Sequence, residues 1–458
     1  MSHDLYTRIF EPAVFPLLDR LNGTTIAPKL EELLASEHVE RAEIERRQRL
    51  AAERVVEETR AGSEFYREHW KHGRGPASHV PALDGLPTVT KAELKAAADA
   101  FPLPGHRGRV ISSPTSGSTG SPMVFHRSIE QESWFWALRF RIWRWAGYRP
   151  GDPYLTINLN PRLGFKKKLQ DRLFRCTYLT FNADDQDSRR VVERLGRDRI
   201  RHLNGFSSSL YVLARYMLDH GVANPGVEGV TATGDGLFPP YREAIEEAFG
   251  VRVHDYYGAG GEGVHLASQC PESGSRYHVH PENAVVEILG PDGPAAPGEP
   301  GRIVVTQFHN AAMPLVRYEL EDVAVAAPAE ARCPCGRTLP MLERIEGRVP
   351  DLVVVPGGDF LVMHFFVVLF KNLQHIHRYQ VVQRREEGIA VRLVEREGCR
   401  RGEVEAAVRR EVERATGGRL AVEFSWVDEI PLSGAGKRRL VISEPSRELL
   451  GRRPDDDP

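Results

Sequence analysis

Residues 112–122 read SSPTSGSTGSP, a run of hydroxyls with two glycines and two prolines that follows a short strand candidate. Glycines let backbone amides turn inward toward a polyphosphate, and Ser and Thr hydroxyls add donors. No lysine follows Gly120, so the order is not that of a Walker A loop. Taken alone, the run is either an anion cradle or a flexible Ser/Gly linker. Its place between a strand and a helix within one alternating segment favours the cradle.

A second group with chemical potential is the cysteines, Cys176, Cys270, Cys333, Cys335 and Cys399. An odd, sparse set in a long chain does not suit a disulfide framework. Cys176 and Cys399 stand alone and read as small apolar residues. In RCPCGR, Cys333 and Cys335 are too close for an ordinary disulfide, and Pro334 and Gly336 turn both sulfurs toward one centre. Upstream, CPESGSRYHVHPE adds Cys270, His278 and His280. A structural zinc takes four ligands, typically from two local clusters. Cys270 with His278, and Cys333 with Cys335, could supply them; otherwise these are reduced cysteines in an exposed turn.

The elements that must position these groups follow from the rest of the chain. Its 458 residues exceed one common domain size several-fold, so two or more domains are expected. Hydrophobic residues make up 41%, charged residues 27%, and the net charge is -2. That balance argues against a mainly electrostatic nucleic-acid binder. No apolar run approaches the roughly 20 residues of a membrane span, so no membrane partner is expected. The opening MSHDLYTRIFEPAVF lacks the basic-then-apolar order of a signal peptide, which leads to the expectation of a cytoplasmic protein.

Residues 1–66 read as surface helices, with Leu50, Ala51, Val55, Val56 and Phe65 as their apolar set. Thr90 is a plausible N-cap for TKAELKAAADAFP. Between about 106 and 260, strand and helix patterns alternate, which points to an α/β domain with a largely parallel sheet. In such sheets ligands bind at the loops after the strands. From 284 the texture changes to hairpin-like strands, and from about 348 a smaller α+β pattern begins.

TSGSTGSP (115–122) resembles the phosphate loop of the adenylate-forming enzyme superfamily, and the chain is most similar to the phenylacetate-CoA ligase branch, with its capsule-biosynthesis-type and coenzyme F390 synthetase-type relatives. The similarity continues through GDGLFPPYREAIEEAFGVRVHDYYGAGGEG (234–263), CPESGSRYHVHPENAVVEI (270–288), MPLVRYELEDVA (313–324), CPCGRTLPMLERIEGRVPD (333–351) and LSGAGKRRLVI (432–442). The resemblance implies an α/β fold: a large multi-sheet N-terminal domain, 1–347, of the acyl-CoA synthetase type, containing a zinc subregion at 268–336. A small mobile α+β lid, 348–446, and a disordered tail, 447–458, would follow. It also implies a two-step reaction in which a carboxylate attacks the α-phosphate of Mg-ATP and an acceptor, often coenzyme A, then displaces AMP.

Carried over by position, Ser116, Gly117, Ser118, Thr119 and Gly120 would hold the phosphates, with Thr119 catalytic. Gly234, Asp235 and Gly236 would form the adenine-side loop. Tyr257, with its neighbour Tyr256, and Gly258 would flank adenine. Glu262 would help bind magnesium, although YGAGGE places it one position late. Asp322 would accept hydrogen bonds from the ribose, and Arg317 falls in the preceding Arg-Tyr pair, where the alternative is a plain salt bridge to Glu319 or Glu321. Arg348 would contact ribose or phosphate, and Lys437 would reach the carboxylate and α-phosphate during adenylation. The hinge position falls on Pro350, where relatives carry Asp or Lys, and Asp351 is the adjacent charge. The branch's zinc site matches Cys270, His278, Cys333 and Cys335, with His280 as alternative ligand or neighbour, and a metal so enclosed would be structural.

Phe206, Ser207 and Tyr211 are candidates for the acid pocket. The segment 160–175 is locally basic and could attract the phosphates of coenzyme A, attract an acidic substrate, or be a solvated face. Expected partners are a small carboxylic acid, ATP and coenzyme A or another acceptor; a homodimer is also allowed. The leading reading is a carboxylate-CoA ligase acting on an aryl or arylacetyl acid. Its alternatives are an adenylating enzyme with an amine, hydroxyl or carrier-thiol acceptor, including F390-type nucleotidyl transfer onto a cofactor, and a non-catalytic binding member.

Overall fold

The computed structural model of the chain describes residues 3–71, 73–114, 123–158, 164–181, 185–291, 293–348, 353–357, 359–361, 365–366, 369–370, 373, 375–431 and 440–445. The N-terminal segment is helical. Leu5–Ile9, capped by the Asp4 carboxylate, runs through a π turn (Phe10–Val14) into Phe15–Leu21. Ile26–Ala35, Arg41–Gly62 and Glu64–Lys71 follow. The long helix buries Ile44, Ala52, Val55, Val56 and Thr59, a stripe at helical spacing. Leu50, counted above with the apolar face, is instead 50% exposed. Thr90 caps Lys91–Ala96 in a reciprocal capping box with Glu93, as its sequence position suggested.

The strands of the large unit are β1 Val110–Pro114, β2 Val124–Ser128, β3 Tyr154–Asn158, β4 Cys176–Thr180, β5 His202–Phe206, β6 Gly229–Thr233, β7 Val253–Ala259, β8 Val264–Ser268, β9 Tyr277–Val279, β10 Ala284–Leu289, β11 Pro300–Gln307, β12 Tyr318–Ala326 and β13 Met341–Arg348. Eleven of them form one sheet in the order β10-β11-β12-β13-β9-β8-β7-β6-β5-β3-β4. From β4 to β7 all pairs are parallel; from β7 onward all are antiparallel. The parallel strands carry Leu155, Ile157, Leu203, Val230 and Ala232 into a core shared with Leu213, Ile245 and Phe249 of the flanking helices.

One feature differs from the sequence reading. β1 does not join the parallel sheet: it pairs antiparallel with β2, a strand the sequence left inside the loop-to-helix region. Phe125 on β2 is buried against Tyr318, which anchors this hairpin on the antiparallel half. The hairpin-like strands after 284 continue the same sheet past β7.

The smaller unit contains the hairpin β14 Val353–Val355 and β15 Asp359–Leu361, then β16 Ile376–Arg385, β17 Gly388–Glu395, β18 Ala421–Trp426 and β19 Val441–Ser443. Its sheet runs β18-β17-β16-β19. Helix Arg401–Thr416 buries Val404, Val408 and Val412 against it and ends at Gly417 in the left-handed conformation. Among the described residues no helix is long and apolar enough to cross a membrane.

Several histidines are enclosed. Burial pushes His202 down to about 3 and His254 down to about 4, the latter helped by Arg252 and Arg242. Both folded values lie below the ordinary histidine value, so their stabilisation is present at neutral pH and is lost as pH falls toward the folded values. Asp255 acts oppositely: burial raises it to about 7, so its stabilisation is greatest in acid and is lost as pH rises through 7. The two histidines together outweigh one carboxyl between pH 6.5 and 5. At pH 5 each is expected to cost roughly 2 kcal/mol. Thermal melts should therefore show a midpoint that drops between pH 7 and pH 5, and a flat or rising midpoint would refute neutral burial of this pair.

Candidate active site and metal centre

The ends of β5, β6 and β7 lie side by side, and the loops after them converge. Gly234, just beyond β6, has φ +82, and a Cβ there would come within 2.4 Å of the Phe206 ring. The backbone of the 234–236 loop therefore rests on Phe206. Ser207 Oγ donates to the Asp235 carbonyl at 3.0 Å, and the Asp235 carboxylate accepts from the Ser208 amide at 3.2 Å. Asp235 thus caps helix Ser207–Asp219 from another loop, which gives this shifted acid a structural task. Of the acid-pocket candidates, Phe206 and Ser207 touch the loop, while Tyr211 stacks on Tyr241 of the neighbouring helix at 4.4 Å.

Strand alternation separates the two tyrosines of β7. Tyr256 is 2% exposed, with its hydroxyl donating to Asn204 at 3.0 Å, so its ring belongs to the core and not to the site face. Tyr257 emerges on the opposite face, and its hydroxyl donates to Asp322 Oδ2 at 2.6 Å. Asp322 on β12 stands in register with Arg348 on β13. Gly258 is required where β7 meets β8, since a Cβ would lie 2.3 Å from the Val264 carbonyl oxygen. Arg317 makes neither of the two bridges offered as its alternative role. Fully buried, it pairs with Glu287 at 2.9 Å and donates to the carbonyl of Pro76 at 2.8 Å, while Glu319 pairs with Arg302.

Glu262 sits in the turn between β7 and β8. Its carbonyl accepts from Gln307 at 3.1 Å. Arg127 on β2 reaches into this turn: its guanidinium donates to the carbonyl of Gly260 at 2.9 Å and pairs with Glu132 at 3.0 Å. The turn wraps the arginine so closely that a Cβ on Gly263, at φ +76, would meet Arg127 Cδ at 1.9 Å. β1 and β2 pair as far as Pro114 and Val124, the residues that flank the Ser/Gly stretch in sequence. The loop itself, with Ser116, Gly117, Ser118, Thr119 and Gly120, lies outside the described residues, as do Pro350, Asp351 and Lys437. Arg348 is described only through its place on β13.

The ligand atoms of Cys270, His278, Cys333 and Cys335 all lie within 4.8 Å of one another. Cys270 and Cys333 sulfurs are 3.5 Å apart, and Cys335 Sγ is 3.5 Å from His278 Nε2. A tetrahedron with metal–sulfur arms of about 2.3 Å has sulfur–sulfur edges of about 3.8 Å, so the donors fit one zinc-sized ion. His280, the alternative ligand, is engaged elsewhere: Arg141 donates to Nδ1 at 2.6 Å, and Nε2 faces Ser268 Oγ at 3.1 Å. Burial, with Arg337 and Arg141 nearby, lowers His278 to about 4, keeping it neutral as a ligand must be.

The sequence reading missed the groups that frame both centres. Glu37 accepts from Trp145 Nε1 and from Arg337 Nε, each at 2.7 Å, and the Arg337 guanidinium lies 4.4 Å from the Trp145 ring centroid. Thr338 N donates to the Glu37 carbonyl at 3.0 Å. The turn after the third N-terminal helix is thereby fastened to the Cys-x-Cys loop. Arg127 was equally unmarked. Its only sequence signal is a basic residue on a strand within the aromatic-rich region, which many surface arginines share.

A parallel sheet that turns antiparallel, followed by a small α+β unit, is the two-domain fold of acyl-CoA synthetases. Residues 353–444 match the family described as the CapK C-terminal domain. The chain is 23% identical over 397 residues to protein CapK of Staphylococcus aureus, covering 83% of this chain and 85% of that protein. It is 31% identical over 150 residues to phenylacetate-coenzyme A ligase of Thermus thermophilus, a match spanning 33% of that ligase. Among solved structures, 2-hydroxyisobutyryl-CoA ligase in the postadenylation state superposes with a TM-score of 0.69 at 20% identity, covering 91% of this chain and 92% of that one. The chain shares the two-domain fold of adenylate-forming enzymes and is similar in sequence to CapK and, over 150 residues, to a phenylacetate-coenzyme A ligase.

Replacing Glu37 by Ala removes two hydrogen bonds and leaves Arg337 without its carboxylate, a loss of about 2 kcal/mol. Hydrogen exchange of the full chain should then show reduced protection in helices Ile26–Ala35 and Arg41–Gly62, with the parallel sheet unchanged. Unaltered protection there would mean the clamp carries no weight.

Proposed function

We propose that the protein is a carboxylate-CoA ligase acting through an acyl-adenylate, with an aryl or arylacetyl acid as substrate. The observation that carries this reading is the Tyr257–Asp322 hydrogen bond at 2.6 Å between the half-buried residues of β7 and β12. It joins the ring that would flank adenine to the carboxylate that would accept from the ribose hydroxyls. Arg127 ties the turn after β7 to the hairpin bearing the Ser/Gly loop.

In the first step a carboxylate oxygen of the acid attacks the α-phosphorus, and the bond to the β-phosphate oxygen breaks, releasing pyrophosphate. Loop residues 116–120 would donate amides and hydroxyls to the departing phosphates, with Thr119 nearest the reaction, and Lys437 would balance charge growing on the α-phosphate. Glu262 would supply an oxygen to magnesium, a hard cation that neutralises the polyphosphate. In the second step the coenzyme A thiolate attacks the acyl carbon and AMP leaves. The smaller unit, from 348, would rotate between the steps. Cys270, His278, Cys333 and Cys335 would hold a structural zinc, with no open position for chemistry.

A second reading rests on one specific observation. The relative matched along 85% of its length is CapK, whereas the phenylacetate-CoA ligase of Thermus thermophilus is matched along 33%. In that reading the acyl-adenylate passes to an amine, hydroxyl or carrier thiol.

Pyrophosphate release across a panel of carboxylic acids, with and without coenzyme A, distinguishes the readings. Release with an aryl acid and conversion to thioester on adding coenzyme A are expected. Retained ATP binding with no release for any acid would remove the ligase reading, and release accelerated by an amine but not by coenzyme A would select the second. Lys437→Ala should lower the adenylation rate by about a hundredfold or more without changing the melting midpoint. Arg127→Ala, which frees the turn at Glu262, should cost about a hundredfold in rate through misplacement alone. Metal analysis of the purified protein should find about one zinc per chain.

A further inference from the structure

The basic segment 160–175 takes no part in the site above. Its described portion forms helix Phe165–Leu173, which packs on the first helices of the chain. Tyr6 donates through its hydroxyl to the Leu173 carbonyl at 2.7 Å, and Arg175 pairs with Asp4 at 2.6 Å. Phe174 meets Phe10 edge-on at 5.1 Å. An open depression of about 600 Å³, lined by Asp4, Tyr6, Leu169, Arg172, Leu173 and Arg175, makes the two elements one continuous surface.

That surface carries an apolar line. Leu5, Ile9, Leu17 and Leu21 are 73%, 52%, 57% and 75% exposed, and Leu169 beside them is 49% exposed. The first four recur at every fourth residue, with exposed Ala13 in the gap. In an unbroken α-helix that spacing drifts steadily around the axis. The wider π turn at Phe10–Val14 offsets the drift and keeps the line on one side. Lys167, Lys168 and Arg172 are exposed on helix Phe165–Leu173, and Arg8 and Arg20 on the N-terminal helices. Of the acids on these helices, Asp4 is paired with Arg175 and Glu11 with Arg144 and Arg149, Asp19 is buried and Asp171 half-buried.

We propose that this face docks the protein reversibly on a bilayer bearing anionic lipids. Leu5, Ile9, Leu17 and Leu21 would enter the boundary between headgroups and acyl chains, and Lys167, Lys168 and Arg172 would lie beside the lipid phosphates. Charge decides between a lipid surface and a second copy of the chain. Two copies meeting here would bring cation against cation, whereas an anionic surface complements every one of them. The apolar residues form a line on convex helices and not a groove, which suits a soft, extended surface. The near-zero net charge of the whole chain hides this local excess, and docking of this kind needs no spanning helix.

The test is co-sedimentation of the full chain with vesicles of phosphatidylcholine plus phosphatidylglycerol, against phosphatidylcholine alone, at low and high salt. Wild type should pellet with the anionic vesicles and be released by salt. The Leu17→Ser/Leu21→Ser and Lys167→Glu/Lys168→Glu variants should each bind about tenfold or more weakly, while acid-dependent pyrophosphate release without vesicles stays at the wild-type rate. Circular dichroism checks that each variant is folded, and the exposed lysine pair serves if the leucine variant is not. The proposal is overturned if wild type ignores anionic vesicles, or if folded variants pellet as well as wild type. It is equally overturned if ultracentrifugation shows a wild-type dimer that the leucine variant dissolves while neither binds vesicles, which would assign the face to a second copy.

Discussion

The Arg127 guanidinium, enclosed by the turn at 260–263, is the contact on which the candidate site's geometry depends. The eleven-stranded sheet changes from parallel to antiparallel between β7 and β8. A parallel strand needs a long crossover, but an antiparallel one needs only a turn, so this reversal is where the chain can stop building α/β layers. Glycines at 260, 261 and 263 make the turn tight, and tightness leaves its carbonyls facing inward without strand partners. Arg127 donates from β2 to those of Gly260 and Gly261, and Gln307 and Gln131 donate to those of Glu262 and Gly263. One cation therefore helps satisfy a turn, fixes the hairpin carrying the Ser/Gly loop, and sets the position of Glu262 relative to Tyr257.

Buried arginines serve the same end elsewhere. Arg317 joins Glu287 to the carbonyl of Pro76, Arg141 joins Glu282 to the Leu33 carbonyl and His280, and Arg337 joins Glu37 to the cysteine loop. Desolvating such ions is costly, so they add little net stability over a hydrophobic alternative. Their value lies in directionality: a planar guanidinium with several donors accepts few arrangements. Each of these three links a helical or looped N-terminal segment to the antiparallel half of the sheet. The helices are thus placed by polar contacts at defined points as well as by the apolar stripes they bury.

Local patterns were legible along much of the chain. The Thr90 cap, the long helix through Val55 and Val56, the strand–helix alternation and the smaller C-terminal α+β pattern all depend on neighbouring residues, which sequence displays directly. Long-range partners were not. β1 looked like the first strand of the parallel sheet, yet it pairs with β2, because Phe125 finds its apolar contacts on the antiparallel half. For Arg317 the sequence offered acids two and four residues away only as an alternative, and its partner Glu287 comes from a different strand. Asp235 was weighed as a nucleotide contact, and its neighbours show it capping a helix that begins well upstream.

By itself, the sequence determined the class of chemistry. The Ser/Gly loop, the tyrosine, aspartate and lysine motifs, and two cysteine-bearing stretches in fixed order could be recognised because each motif is contiguous. Tertiary structure alone decided which of those residues share a space. It turned Tyr257 toward Asp322 and Tyr256 into the core, because adjacent residues on a strand face opposite sides and only the packed sheet says which side is the site. It also chose His278 over His280 beside the sulfurs, since alternation along β9 sends one imidazole to the cysteine loop and the next residues' turn brings the other to Arg141. The basic stretch 160–175 was visible in the sequence, but only the tertiary structure set its helix against the N-terminal helices that expose leucines, because charge cancels in a sum over residues but not across a folded surface.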